Sequence, residues 1–64
     1  MISYEAKNYG PDSYDFSFKG ASTDTKPTVE HDGMKIANGS TFFEMDTQTC
    51  YFYDGDNDDW FAQP

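Results

Sequence analysis

The sequence predicts a small all-β domain, an antiparallel meander or open barrel of four to six short strands over residues 1–64. Three observations lead there. The apolar side is aromatic: six Phe, five Tyr and one Trp stand against one Val, two Ile and no Leu, and aromatic rings suit the pleated surface of a strand better than a helix. Residues Ser13–Lys19 alternate strictly, with Tyr14, Phe16 and Phe18 on one face and Ser13, Asp15, Ser17 and Lys19 on the other, the period of a half-buried strand. Turn chemistry then recurs at the short intervals typical of all-β chains.

The elements follow in order. Ile2-Ser3-Tyr4 is a short partner strand for Ser13–Lys19 across the turn Asn8-Tyr9-Gly10-Pro11-Asp12, where Pro fixes φ and Gly takes positive φ freely. Gly20–Pro27 is a polar loop whose terminal Pro bars a central strand. Thr28–Glu30 and Met34–Ile36 flank His31-Asp32-Gly33 as an irregular excursion or minor hairpin, because Asp-Gly favours a tight turn. Asn38-Gly39-Ser40 is a further turn. Thr41–Met45, Cys50–Tyr53 and Trp60-Phe61-Ala62 are the strands of a C-terminal meander, joined by turns at Asp46–Thr49 and Asp54–Asp59. Asp46 is placed to accept a backbone N–H in an Asx-type turn. Trp60 is expected to close the meander over Tyr51 or Phe43.

A single domain is all that 64 residues allow, and chains of this length commonly need staples. One cysteine, Cys50, rules out an intrachain disulfide, and one histidine, His31, leaves no Cys/His zinc set. The isolated chain is therefore expected to be marginal and to gain order by association.

The net charge is −8, with no Arg. Residues 1–43 carry four Lys against six acids, or −2, and residues 44–64 carry six acids and no Lys, or −6. Phosphate binding rests on Lys and Arg, so nucleic acid and anionic membranes are not expected partners. No basic, apolar leader is visible in residues 1–10, and no window is long and apolar enough to span a bilayer. A product made in the cytoplasm is expected, without a signal peptide, and the lone Cys agrees with a reducing compartment.

Candidate chemistry is sparse. Asp54, Asp56 and Asp58 resemble the start of a calcium loop, but a twelve-residue loop from Asp54 would need its bidentate acid at position 65. A metal-free polar turn is expected, with no metal and no cofactor. His31-Asp32 offers a base and an orienting acid without a nucleophile at any recognisable spacing. Cys50 lies in an aromatic strand without nearby positive charge, the setting of an inert thiol. Glu44 and Asp46 are paired carboxylates with no evident pocket for a sugar between them. No catalytic residue is assigned, and an enzyme is not expected. The residues singled out for core or interaction are Phe43, Tyr51, Tyr53, Trp60 and Phe61, and Tyr53 with Trp60 would form the stacking platform of a glycan-binding module.

Gly39–Trp60, GSTFFEMDTQTCYFYDGDNDDW, resembles the motif G-S-T-x-x-E-x-D-T-G-x-x-Y-x-[YF]-D-x…W of small virion-associated proteins of tailed bacteriophages and prophages. The matching residues are Gly39, Ser40, Thr41, Glu44, Asp46, Thr47, Tyr51, Tyr53, Asp54 and Trp60. Ser22–Thr28 is similar to the S-[ST]-D-x-K-P-T segment that often precedes the motif. The chain departs from the pattern at Gln48, where the family has Gly, a residue suited to positive φ in a turn. The resemblance implies a minor structural protein of a virion, at the capsid surface, a head fibre or the tail. It would act by self-association or by docking on a larger virion subunit. A carbohydrate-binding or host-adhesion module, and an acidic inhibitor or DNA mimic, are the alternative readings.

Overall fold

The computed structural model describes residues 2–63. Among them there is no helix, and seven strands form one mixed sheet that does not close into a barrel. In chain order they are β1 (Ser3–Asn8), β2 (Ser13–Gly20), β3 (Glu30–His31), β4 (Met34–Ile36), β5 (Thr41–Glu44), β6 (Thr49–Asp54) and β7 (Asp59–Ala62). The all-β class is as expected. The strand count exceeds four to six because the Asp32-Gly33 turn supports a true hairpin, β3–β4, with Asp32 and Gly33 both at positive φ. β1 is also longer than Ile2–Tyr4, since its polar residues Glu5, Lys7 and Asn8 all pair along β2.

The sheet is mixed, not purely antiparallel, and the reason lies at β2. β1 covers one edge of β2 in antiparallel register, from Ser3↔Lys19 to Asn8↔Tyr14. The other edge is shared by two parallel strands in succession. β4 pairs at Ser13 and Tyr14, and β5 pairs from Ser17↔Thr41 to Gly20↔Glu44. Between these ladders β2 advances from Tyr14 to Ser17 while the opposing chain advances from Ile36 to Thr41, two residues more. Ser40 closes this bulge. Its hydroxyl accepts the Phe16 N–H at 3.1 Å and donates to the Ala37 carbonyl at 2.8 Å, in a fully buried position. A buried backbone donor must find such a partner. Gly39, at φ +90, makes the turn that delivers it.

The C-terminal meander is antiparallel throughout, β5–β6–β7. Its two hairpin loops are alike: four residues join Glu44↔Thr49 and four join Asp54↔Asp59, and the last residue of each, Gln48 and Asp58, takes positive φ. Gln48 thus takes a left-handed conformation at the position where the motif it resembles has Gly.

The core lies on one face of the sheet. Phe16, Phe18, Ile36, Phe42 and Tyr53 form it, with Tyr4, Tyr14, Tyr51 and Trp60 packed around. Phe16 and Phe18 stack at 4.7 Å between ring centroids. Gly20 is fixed by close approach, because a Cβ there would come within 2.9 Å of the Phe42 ring.

Candidate functional site

The segment between β2 and β3, residues 21–29, is a strap across the core face. Four contacts tie it to the meander. Asp46 accepts from the Ser22 N–H and hydroxyl at 2.9 and 2.6 Å. Lys26 pairs with Glu44 at 2.5 Å, and its ammonium lies 4.2 Å from the Tyr51 ring centroid and 5.0 Å from that of Phe42. The Trp60 indole N–H donates to the Pro27 carbonyl at 2.8 Å. The Tyr53 hydroxyl accepts from the Val29 N–H and donates to Asp58. The motif residues Glu44, Asp46, Tyr51, Tyr53 and Trp60 therefore serve internal docking of the upstream strap, Ser22 to Val29. Glu44 is buried, but the ammonium of Lys26 and the hydroxyl of Thr47 satisfy it and hold its carboxyl below the usual range. Asp46 is lowered in the same way by its bonds from Ser22, so the pair expected from sequence is split between two structural tasks. The Asp46 carboxylate spans to Ser22 and makes its strongest bonds there, not within its own turn.

Trp60 packs against Phe18, Phe42 and Tyr53, with centroids 5.9, 6.0 and 4.9 Å away. The expected partners Tyr51 and Phe43 are replaced for a reason of register. Trp60 lies opposite Tyr53, and Phe43 points to the other face. Tyr53 is 2% exposed, so Tyr53 and Trp60 do not form an accessible sugar-stacking platform. Burial, followed by the bond to Asp58, raises the Tyr53 phenol above its ordinary value.

The remaining expected chemistry is also used internally. His31 meets Tyr4 and Phe18 edge-on at 5.0 and 5.2 Å, and its Nε2 stands 4.0 Å from Asp32, too far for a hydrogen bond. Asp32 instead accepts from the Tyr4 hydroxyl. In the β6–β7 loop, Asp54 accepts from the Asp56 N–H and the Asn57 amide, which lower its carboxyl, and Asp59 accepts from the Trp60 N–H. Among the described residues no three His, Cys, Asp or Glu side chains converge as metal ligands.

The opposite face of the meander is different. Alternation sends Phe43, Cys50, Phe52 and Phe61 away from the core, and the ladder places them side by side: Phe43 opposite Cys50, Phe52 opposite Phe61. Phe43, Phe52 and Phe61 are 37%, 38% and 54% exposed, and Met45 at the adjoining turn is exposed as well. Three exposed rings on three adjacent strands give this face an apolar character, the kind of surface that marks contact with another macromolecule. Of the five residues singled out from sequence, Phe43 and Phe61 belong to this face, and Tyr51, Tyr53 and Trp60 to the core side. Phe52 was not singled out, although its place one residue from both Tyr51 and Tyr53 puts it on the face with Phe43 and Phe61. Compared with protein-family models, curated proteins and solved structures, the chain has no significant match.

Proposed function

We propose that this chain is a minor structural protein of a phage virion, acting through protein–protein contact at the outer aromatic face of β5–β7. The observation that carries the reading is the division of the aromatic residues. The aromatic residues that the resembling motif specifies are spent inside the fold, and Phe43 and Phe52 at its unspecified positions, with Phe61 just beyond it, stand exposed. A surface of three adjacent rings with a cysteine beside them suits burial against a larger subunit, whose apolar contact area would supply the layer this face lacks. The acidic C-terminal third favours a partner surface with a basic rim. Capsid surface, head fibre and tail accessory are all compatible posts.

The test is particle association. Particles induced from the cell that encodes the chain should carry it after density-gradient purification and washing, and a Phe52→Ser, Phe61→Ser double variant should fold yet fail to co-purify. Absence of the wild-type chain from intact particles would overturn the reading.

A further inference from the structure

A second surface lies at the end of the sheet where the β1–β2 turn, the end of the strap, β4 and the β6–β7 loop meet. These elements enclose an open cleft of about 430 Å³, a volume in the range of ligand sites. Its floor includes Ile36, which is buried. Tyr9 and Val29 contribute to its walls and are 66% and 51% exposed, so two large apolar side chains are presented to the opening. Asp56 and Asp58 line it from the β6–β7 loop, and Lys35 lines it from β4.

Val29 sets the apolar side of the cleft. Its backbone is left-handed, at φ 67, a conformation a β-branched residue adopts only when its surroundings impose it. The Tyr53 hydroxyl takes its N–H at 2.8 Å, and its carbonyl takes the Ile36 N–H at 3.0 Å. Charge sets the other side: the carboxylate of Asp56 and that of Asp58, one oxygen of which accepts from the Tyr53 hydroxyl, against one ammonium, in a chain of net charge −8. The complementary occupant is long, with an aliphatic stem for Tyr9 and Val29 and a cation for Asp56 and Asp58. Lys and Arg side chains have that construction, and an arginine would add stacking on the Tyr9 ring.

We propose that this cleft binds a basic side chain, lysine or arginine, from an extended segment of a partner protein. The site is separate from the outer aromatic face and does not depend on its role. Lys35, the one cation of the lining, then sets the affinity by repulsion and makes the site selective for a strong, well-placed cation.

The experiment is an NMR titration of the ¹⁵N-labelled chain with the capped tripeptides Gly-Arg-Gly, Gly-Lys-Gly and Gly-Glu-Gly. The basic peptides should give saturable amide shifts at Val29, Ile36 and Asp58, with a dissociation constant on the order of 1 mM. Asp56→Asn should weaken binding several-fold, and Lys35→Gln should strengthen it. Val29→Asn keeps a residue that tolerates the left-handed conformation but removes the apolar wall, so it should preserve the melting temperature and weaken binding. Saturable binding of the Glu peptide alone, weakened binding in Lys35→Gln, or no saturable shift at these amides with any peptide would each overturn the proposal.

Discussion

The outer face of the sheet is finished differently over its two halves. Over β1 and β2 it presents Ser3, Glu5, Lys7, Asp15, Ser17 and Lys19, with Glu5 opposite Ser17 and Lys7 opposite Asp15. Over β5, β6 and β7 it presents Phe43, Cys50, Phe52 and Phe61, flanked by Thr41, Asp54 and Asp59. Both halves belong to one sheet and share one core, and both alternate with period two. The strand pattern alone therefore does not decide where a partner docks. What decides is the chemistry of the positions that the core does not use. On β1–β2 those positions are suited to water, and on the meander they are suited to another apolar surface.

Five substitutions and one change of pH test how separate the two faces of the meander are. The largest effect should come from the core side. Trp60→Ala removes ring contacts to Phe18, Phe42 and Tyr53 and the bond to Pro27, and should cost roughly 3–5 kcal/mol, enough to unfold so small a domain. Chemical denaturation followed by far-ultraviolet circular dichroism would measure it. A folded variant of near wild-type stability would mean that the strap, not the indole, closes the core.

Acid should act through the carboxylates that hold the strap and the β6–β7 loop. Glu44, Asp46 and Asp54 have carboxyls held below their ordinary values by Lys26, by Ser22 and by Asn57 with the Asp56 N–H. A lowered folded value contributes stability that is fully present above the unfolded pKa and is lost as pH falls through the folded one. The melting temperature should be flat at neutral pH and fall below about pH 4, the region of free carboxyls. Glu44→Gln should shrink that fall. An acid transition unchanged by Glu44→Gln would assign it to other groups.

The outer face should matter little to the isolated chain. Phe52→Ser should shift stability by about 1 kcal/mol or less, because its ring is only partly covered. Phe42→Ala, one strand away and fully buried, should cost roughly 3–5 kcal/mol. Equal losses in the two variants would erase the distinction between the faces. The smallest effect belongs to the first meander hairpin. Gln48→Gly should gain about 0.5 kcal/mol, because Gly relieves the positive φ at some cost in chain entropy. The matching loop already has Asp58 at that position, a residue better suited to it. A loss of stability in Gln48→Gly would show that the Gln side chain is held by contacts that outweigh its backbone strain.

Much of the local structure is legible in the sequence, because alternation and turn residues act within a few positions. Ser13–Lys19 reads as a strand, and the three meander strands and both of their turns read correctly. The long-range pairings do not. Nothing local in Glu5-Ala6-Lys7-Asn8 marks it as a strand, since its order comes from the β2 edge. Nothing local makes β2 pair in parallel with β4 and β5. The strap reads as a polar loop, and its docking through Lys26, Pro27 and Val29 depends on partners eighteen or more residues away. Alternation does say that Phe42 and Phe43 face opposite ways. Which of the two is buried depends on the side to which β2 brings Phe16 and Phe18, and that is settled only when the sheet assembles.

The bulge closed by Ser40 has a consequence for the order of assembly in time. The meander closes through two four-residue loops, whereas the parallel β2–β5 ladder must bridge the twenty residues between Gly20 and Thr41. Loop-closure entropy favours the short closures first. The meander should therefore form early, and β2 should dock late, when the Ser40 hydroxyl captures the Phe16 N–H. Ser40→Ala should then speed unfolding and leave the folding rate nearly unchanged. A variant that folds more slowly with an unaltered unfolding rate would place β2 docking in the rate-limiting step. On the expected order, the β2–β5 seam is also the first part of the native sheet to open, so it sets how long the aromatic core stays closed to water.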